Sequence, residues 1–129
     1  MSRKHRPQPA RIALTDRALE DICAVERYSI DKWGRRTGDK YVDEIISSLD
    51  RLGENPQLLH REIEFSPGLY FYRVQRHILV CDYRDNAIVV LALIHAGMDI
   101  PARLAELEPH LAAEAEFLHA KLHGRRKSQ

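Results

Sequence analysis

Apolar residues recur along this chain with two different periods, and the change of period divides it. Residues 11–14 form a short, mostly apolar segment that predicts a first strand. Thr15 then reads as a helix N-cap, with Asp16 in the first turn, where the helix dipole favours negative charge. Ala18, Ile22, Val25 and Ile30 fall on one face of a loosely amphipathic helix, with Leu19 and Trp33 on its flanks. Gly34 ends it, and Trp33 at the helix end reads as a packing anchor. A second helix follows a short turn. Tyr41, Ile45, Leu49 and Leu52 share one of its faces, and Asp43, Ser47 and Asp50 take the opposite one. Gly53 and Pro56 predict its end. Two helices joined by a short Gly-containing turn predict an antiparallel αα-hairpin.

Beyond this point the helical period is lost. Residues 61–65 are ambiguous and compatible with extended chain, and Pro67-Gly68 predicts a turn. Residues 69–75 are rich in aromatic and β-branched side chains, as strands are, and 77–83 predict a second strand. Arg84-Asp85-Asn86 reads as a hairpin turn. Residues 87–94 are apolar on both faces, which predicts a central strand covered on both sides. Helical patterning resumes after Pro101, is expected to break at Pro109, and continues over 110–123. Leu111, Ala115, Leu118 and Leu122 form a narrow stripe there, expected to fold back onto the sheet, with pairing to a partner helix as the other possibility.

The length of 129 residues suits one domain with its own core. No apolar run approaches the roughly 20 residues of a membrane helix. Residues 1–11 lack the apolar stretch of a secretory signal. A cytoplasmic protein is the expectation. Cys23 and Cys81 have no CxxC neighbour, and each lies beside an apolar residue, so both are expected to be buried, unpaired thiols.

The net charge of +1 hides an asymmetry. Arg3, Lys4, Arg6 and Arg11 at one end and Arg125, Arg126 and Lys127 at the other leave residues 12–124 with thirteen basic and nineteen acidic residues. That body has a net charge of −6 and is a poor footprint for broad binding to nucleic acid. The basic ends are expected to be solvated tails, covering residues 1–10 and 124–129. His119 and His123 have a metal-capable spacing, but no glutamate of an HExxH motif lies between them and no third ligand is evident. No Gly-rich phosphate loop or nucleophile elbow is present. No cofactor and no metal are expected.

Several short motifs follow one another in a recognisable order over about residues 11–104. Thr15-x-x-Ala18-x-x-Asp21-Ile22-x-x-Val25-x-x-Tyr28 precedes Trp33-Gly34. Tyr41-Val42, Leu49 and Leu52 precede Asn55-Pro56. Pro67-Gly68-Leu69, Arg76-His77 and Tyr83 come next, then His95, Met98-Asp99 and Pro101. In this order the chain resembles toxins of the RelE/ParE superfamily, and the ParE-like branch in particular. The resemblance implies an α+β fold with the αα-hairpin packed on a small, twisted, mostly antiparallel sheet. It covers a toxin domain over residues 11–104 and leaves a helical extension over 105–123 outside it. It also implies a cognate antitoxin as partner, encoded beside the toxin, and a homodimer or a larger hetero-oligomer with that antitoxin.

The superfamily's targets divide in two. RelE-like members cut mRNA on the ribosome, and ParE-like members inhibit DNA gyrase. Metal-free RNA cleavage needs clustered cations and an acid–base pair. Candidates are Arg73, Arg76, His77, Tyr83, Arg84 and His95, of which Arg76, His77, Tyr83 and His95 are the catalytic set if the chain is a nuclease. Each also has a structural reading: sheet-edge hydrogen bonding for Arg76-His77, a core aromatic for Tyr83, and pairing with Asp99 or a backbone carbonyl for His95. Residues 61–95 hold four arginines, no lysine and four acids, which is thin for a nuclease. Tyr70 stands where relatives often carry arginine, and His95-Ala96-Gly97-Met98 lacks a basic residue that relatives often carry. Both departures favour inhibition by binding. A non-toxic interaction module on the same fold is the third reading, motivated by the apolar stripe of the last helix.

Overall fold

A computed structural model describes residues 8–62 and 66–127. The chain runs β1 (Arg11–Leu14), α1 (Asp16–Trp33), α2 (Arg35–Glu54), a 3-10 turn (Pro56–Leu58), β2 (His60–Glu62), β3 (Ser66–Val74), β4 (His77–Arg84), β5 (Ala87–His95) and α3 (Ile100–Lys127). The five strands form one sheet in the order β1-β5-β4-β3-β2. Only the β1–β5 pair is parallel. The αα-hairpin and strands β2–β4 together form the long connection between that parallel pair. The fold is α+β, with the hairpin on one face of the sheet and α3 on the other.

Local chemistry sets the boundaries. The Thr15 hydroxyl accepts the Ala18 N–H and donates to the Leu91 carbonyl, so one side chain caps α1 and ties it to the sheet. Gly34, at φ 95°, ends α1 and starts α2. Gly38 marks the close approach of the two helices, since a Cβ there would lie 2.6 Å from Ile30 Cγ1. Asp85 and Asn86 both take left-handed φ, which makes the β4–β5 connection a tight two-residue turn. Gly53 lies inside α2, which runs on to an Asn55 cap.

β5 is buried along its length except at His95. Ile88, Val90 and Leu93 face the hairpin with Ile45, Leu49 and Leu52, while Val89, Leu91, Ala92 and Ile94 face α3. A bulge explains why Leu91 and Ala92 share a side: Val80 pairs with Ala92, but Cys81 pairs with Val90. Beyond Val90, β5 has lost its β1 partner, and the Asp21 carboxylate accepts the Leu93 N–H at 3.0 Å. Burial raises the Asp21 pKa despite that hydrogen bond.

Three expectations from the sequence require correction. Pro67-Gly68 is not a turn but lies in β3. The β3–β4 ladder begins only at Tyr70, so the missing Pro N–H falls in a stretch without a partner on that side. Residues 63–65 of the ambiguous segment lie outside the described residues; its first two belong to β2. Pro109 does not break the last helix. Leu104, Leu107, Leu111 and Ala115 hold α3 against the sheet on both sides of it, while Glu108, Pro109 and His110 are exposed. The carbonyl released by proline therefore lies on the wet side. Cys23 is exposed, whereas Cys81 is buried and its thiol pKa strongly raised by desolvation.

Polar contacts add to the apolar seat of α3. His119, 4% exposed, lies 2.9 Å from the Asp82 carboxylate, and Arg84 reaches both Asp82 and Glu116. Arg11 donates to the Leu122 carbonyl. No helix among the described residues is long and apolar enough to cross a membrane.

Candidate functional site

The structure gathers polar and aromatic chemistry where the Gly34 end of the αα-hairpin meets the β3–β4 turn and the end of β5. A cleft of about 680 Å³ lies there, within the range of ligand sites. Val25, Tyr28 and Trp33 of α1 form an apolar side, Lys40, Tyr41 and Glu44 of α2 another, and Arg76, His77 and His95 the floor.

The floor is built by strand pairing. His77 opens β4 directly opposite His95, the last residue of β5, and their rings meet edge to face at 5.1 Å. The two-residue turn before His77 puts Gln75 at φ 55°, a position that favours glycine. Side chains hold it there: Arg73 donates to the Gln75 carbonyl at 2.7 Å, and the Gln75 amide donates to Glu44 at 2.9 Å.

Tyr41 organises the cluster. Its hydroxyl accepts the Arg76 N–H at 3.2 Å and lies 2.6 Å from His77 Nδ1. The Val74 carbonyl, at 3.5 Å, is a longer contact of the same hydroxyl. Burial raises the Tyr41 pKa. The His77 pKa is pushed down to about 4, first by desolvation and then by His95 and Arg76. His95 Nδ1 accepts the Gly97 N–H at 2.9 Å. The Arg76 guanidinium stacks over Trp33, 5.5 Å from the ring centroid.

Three of the four residues singled out from sequence, Arg76, His77 and His95, meet in this cleft. Tyr83 does not. It lies six residues further along β4, about 20 Å away, edge-on to Tyr70. Arg84 is beyond it, tied to Asp82 and Glu116. Arg73 is occupied with Gln75. His95 pairs with the Gly97 N–H rather than with Asp99 or a carbonyl, and Asp99 instead accepts the Ala102 N–H at the start of α3.

Trp33 is 44% exposed and lines the cleft beside Tyr28, so it is a surface wall more than a packing anchor. The sequence marked Tyr41 as an apolar-face residue, and its hydroxyl role was missed. The available signal was a polar atom on an otherwise apolar stripe. Lys40, Glu44 and Gln75 carried no comparable signal, because only tertiary structure brings them to the rim. Among the described residues no group of three or more His, Cys, Asp or Glu side chains is placed to hold a metal ion.

Residues 12–100 match the family model described as the ParE toxin of type II toxin–antitoxin systems, parDE. The matched region ends where α3 begins. No curated protein matches the sequence. Among solved structures, a chain of the chromosomal ParDE toxin–antitoxin system from P. aeruginosa is similar, with a TM-score of 0.59 and 15% identity. The similarity covers 67% of this chain and 95% of that one. A chain of the RelBE2 toxin–antitoxin complex from Mycobacterium tuberculosis is similar over 68% of this chain and 92% of that one, with a TM-score of 0.50 and 16% identity. At these identities the structural likeness speaks to fold alone. The family match spans more than two thirds of the sequence, and the chain therefore belongs to the ParE toxin family of type II toxin–antitoxin systems, within the RelE/ParE superfamily.

Proposed function

We propose that this protein is the toxin of a type II pair, neutralised by a cognate antitoxin, and that it poisons DNA gyrase by binding rather than cutting mRNA. One observation carries the choice between the two targets: Tyr83 stands apart from Arg76, His77 and His95, so the set a metal-free nuclease would need does not assemble in the cleft. His77 and Tyr41 are bonded to each other, and Tyr83 is at the far end of β4. A histidine with a pKa of about 4 is a weak base near neutral pH. The excess of acids over residues 12–124 points the same way, because docking on ribosomal RNA is driven by positive charge.

Expression of the protein alone in a bacterial host tests the reading. Growth arrest with relaxation of a reporter plasmid, relieved by co-expression of the neighbouring gene's product, is the expected outcome. Arrest with normally supercoiled plasmid and cleaved transcripts favours the RelE-like alternative, which the convergence of Arg76, His77 and His95 on one cleft supports. Normal growth points to an interaction module.

A further inference from the structure

One hydrogen bond on the cleft floor fixes an imidazole proton: the Gly97 N–H donates to His95 Nδ1, so His95 is the Nε2–H tautomer. His77 Nδ1 is engaged with the Tyr41 hydroxyl. Neither ring's Nε2 has a hydrogen-bond partner among the described residues, and both rings line the cleft. The low pKa of His77 agrees with a neutral ring at physiological pH.

The other polar groups have the same sense. The Arg76 guanidinium stacks on Trp33; among the described residues it has no hydrogen bond, and Lys40 has no ion pair. The carboxylate at the rim, Glu44, already accepts from Gln75. Cationic groups thus outnumber the single carboxylate of the lining, Glu44. Arg76 and Lys40 against Glu44 leave about one net positive charge, which suits a monoanion better than a polyphosphate. Beside these donors, Trp33 and Tyr28 stand edge to face at 5.9 Å and are 44% and 57% exposed, with Val25 next to them.

We propose that this cleft binds a carboxylate carried on an apolar body, with the head on the Nε2–H of His95 and on Arg76, beside His77, and the body against Trp33, Tyr28 and Val25. Two sources share this chemistry: a free arylalkanoic acid, and the C-terminal carboxylate of a peptide ending in a large apolar residue. The site stands independently of which target the protein poisons.

Trp33 is the chain's single tryptophan, so its emission reports occupancy directly. The full-length protein would be titrated with 4-phenylbutyrate and its amide, and with acetyl-Gly-Gly-Gly-Phe as free acid and as C-terminal amide. At least one acid should give a saturable change, with its amide at least tenfold weaker. Arg76→Gln and His95→Gln, shown folded by circular dichroism, should each weaken that acid about tenfold. A peptide acid binding at least tenfold tighter than phenylbutyrate identifies a chain end as the source; comparable affinities identify the free acid as sufficient. Equal binding of acid and amide, no saturable change with any probe, or affinity unmoved in both variants would overturn the proposal.

Discussion

The Tyr41 hydroxyl oxygen and His77 Nδ1 lie 2.6 Å apart, and this contact joins the αα-hairpin to the start of β4. The same oxygen accepts the Arg76 N–H. Tyr41→Phe keeps the ring but orphans both groups in a half-buried place. The expected loss is about 1–2 kcal/mol, read as a lower urea midpoint with unchanged m-value. An unchanged midpoint would mean that water replaces the hydroxyl at no cost.

The depressed His77 pKa makes stability depend on pH. The folded value is about 4, against an ordinary 6.5. Between these values the unfolded chain binds more protons than the folded one, so stability rises with pH. The contribution is fully present above about pH 6.5 and is lost as pH falls through 4. Discounted for partial exposure, it amounts to roughly 1–2 kcal/mol. Urea midpoints of the wild type and of His77→Gln across this window check it: the variant should show the shallower slope, and parallel slopes would assign the pH dependence to carboxylates such as Asp21.

Gly38 is expected to resist even the smallest side chain. Its added Cβ would sit 2.6 Å from Ile30 Cγ1 and 3.0 Å from the Ile30 backbone nitrogen, and the latter cannot swing away. Gly38→Ala should therefore destabilise by about 1–3 kcal/mol despite alanine's better helix propensity. A melting temperature at or above wild type would show that the hairpin opens freely.

Helix α3 is part of the core. Leu111, 1% exposed, packs on the sheet face opposite the hairpin. Leu111→Ala should cost about 2–5 kcal/mol in a single cooperative transition. A loss below ~0.5 kcal/mol, or a separate early transition, would mean that α3 detaches independently of the rest.

Much of the fold was legible because periodicity reports which face is buried. The spacing of Ile45, Leu49 and Leu52, the apolar run of β5 and the Thr15 cap each point to the element observed. Cys23 was misread because its apolar neighbour in sequence, Ile22, is about 100° away around the helix. Pro109 was misread because local propensity says nothing of the core beneath α3. The site was legible only in part. His77 and His95 were recognised as residues, but their pairing depends on strand register, and the bulge between Val90 and Ala92 lets residues of mixed spacing share a face. Tyr83 was grouped with them by nearness in sequence, which along an extended strand means separation in space.

Gyrase and ribosome are told apart by adding the purified protein to two reactions in parallel: supercoiling of relaxed plasmid by DNA gyrase, and translation of a defined mRNA by purified ribosomes. A gyrase poison causes dose-dependent loss of supercoiling, with the message intact at the same concentrations. Undisturbed supercoiling accompanied by ribosome-dependent cleavage of the message would contradict the proposed gyrase poisoning.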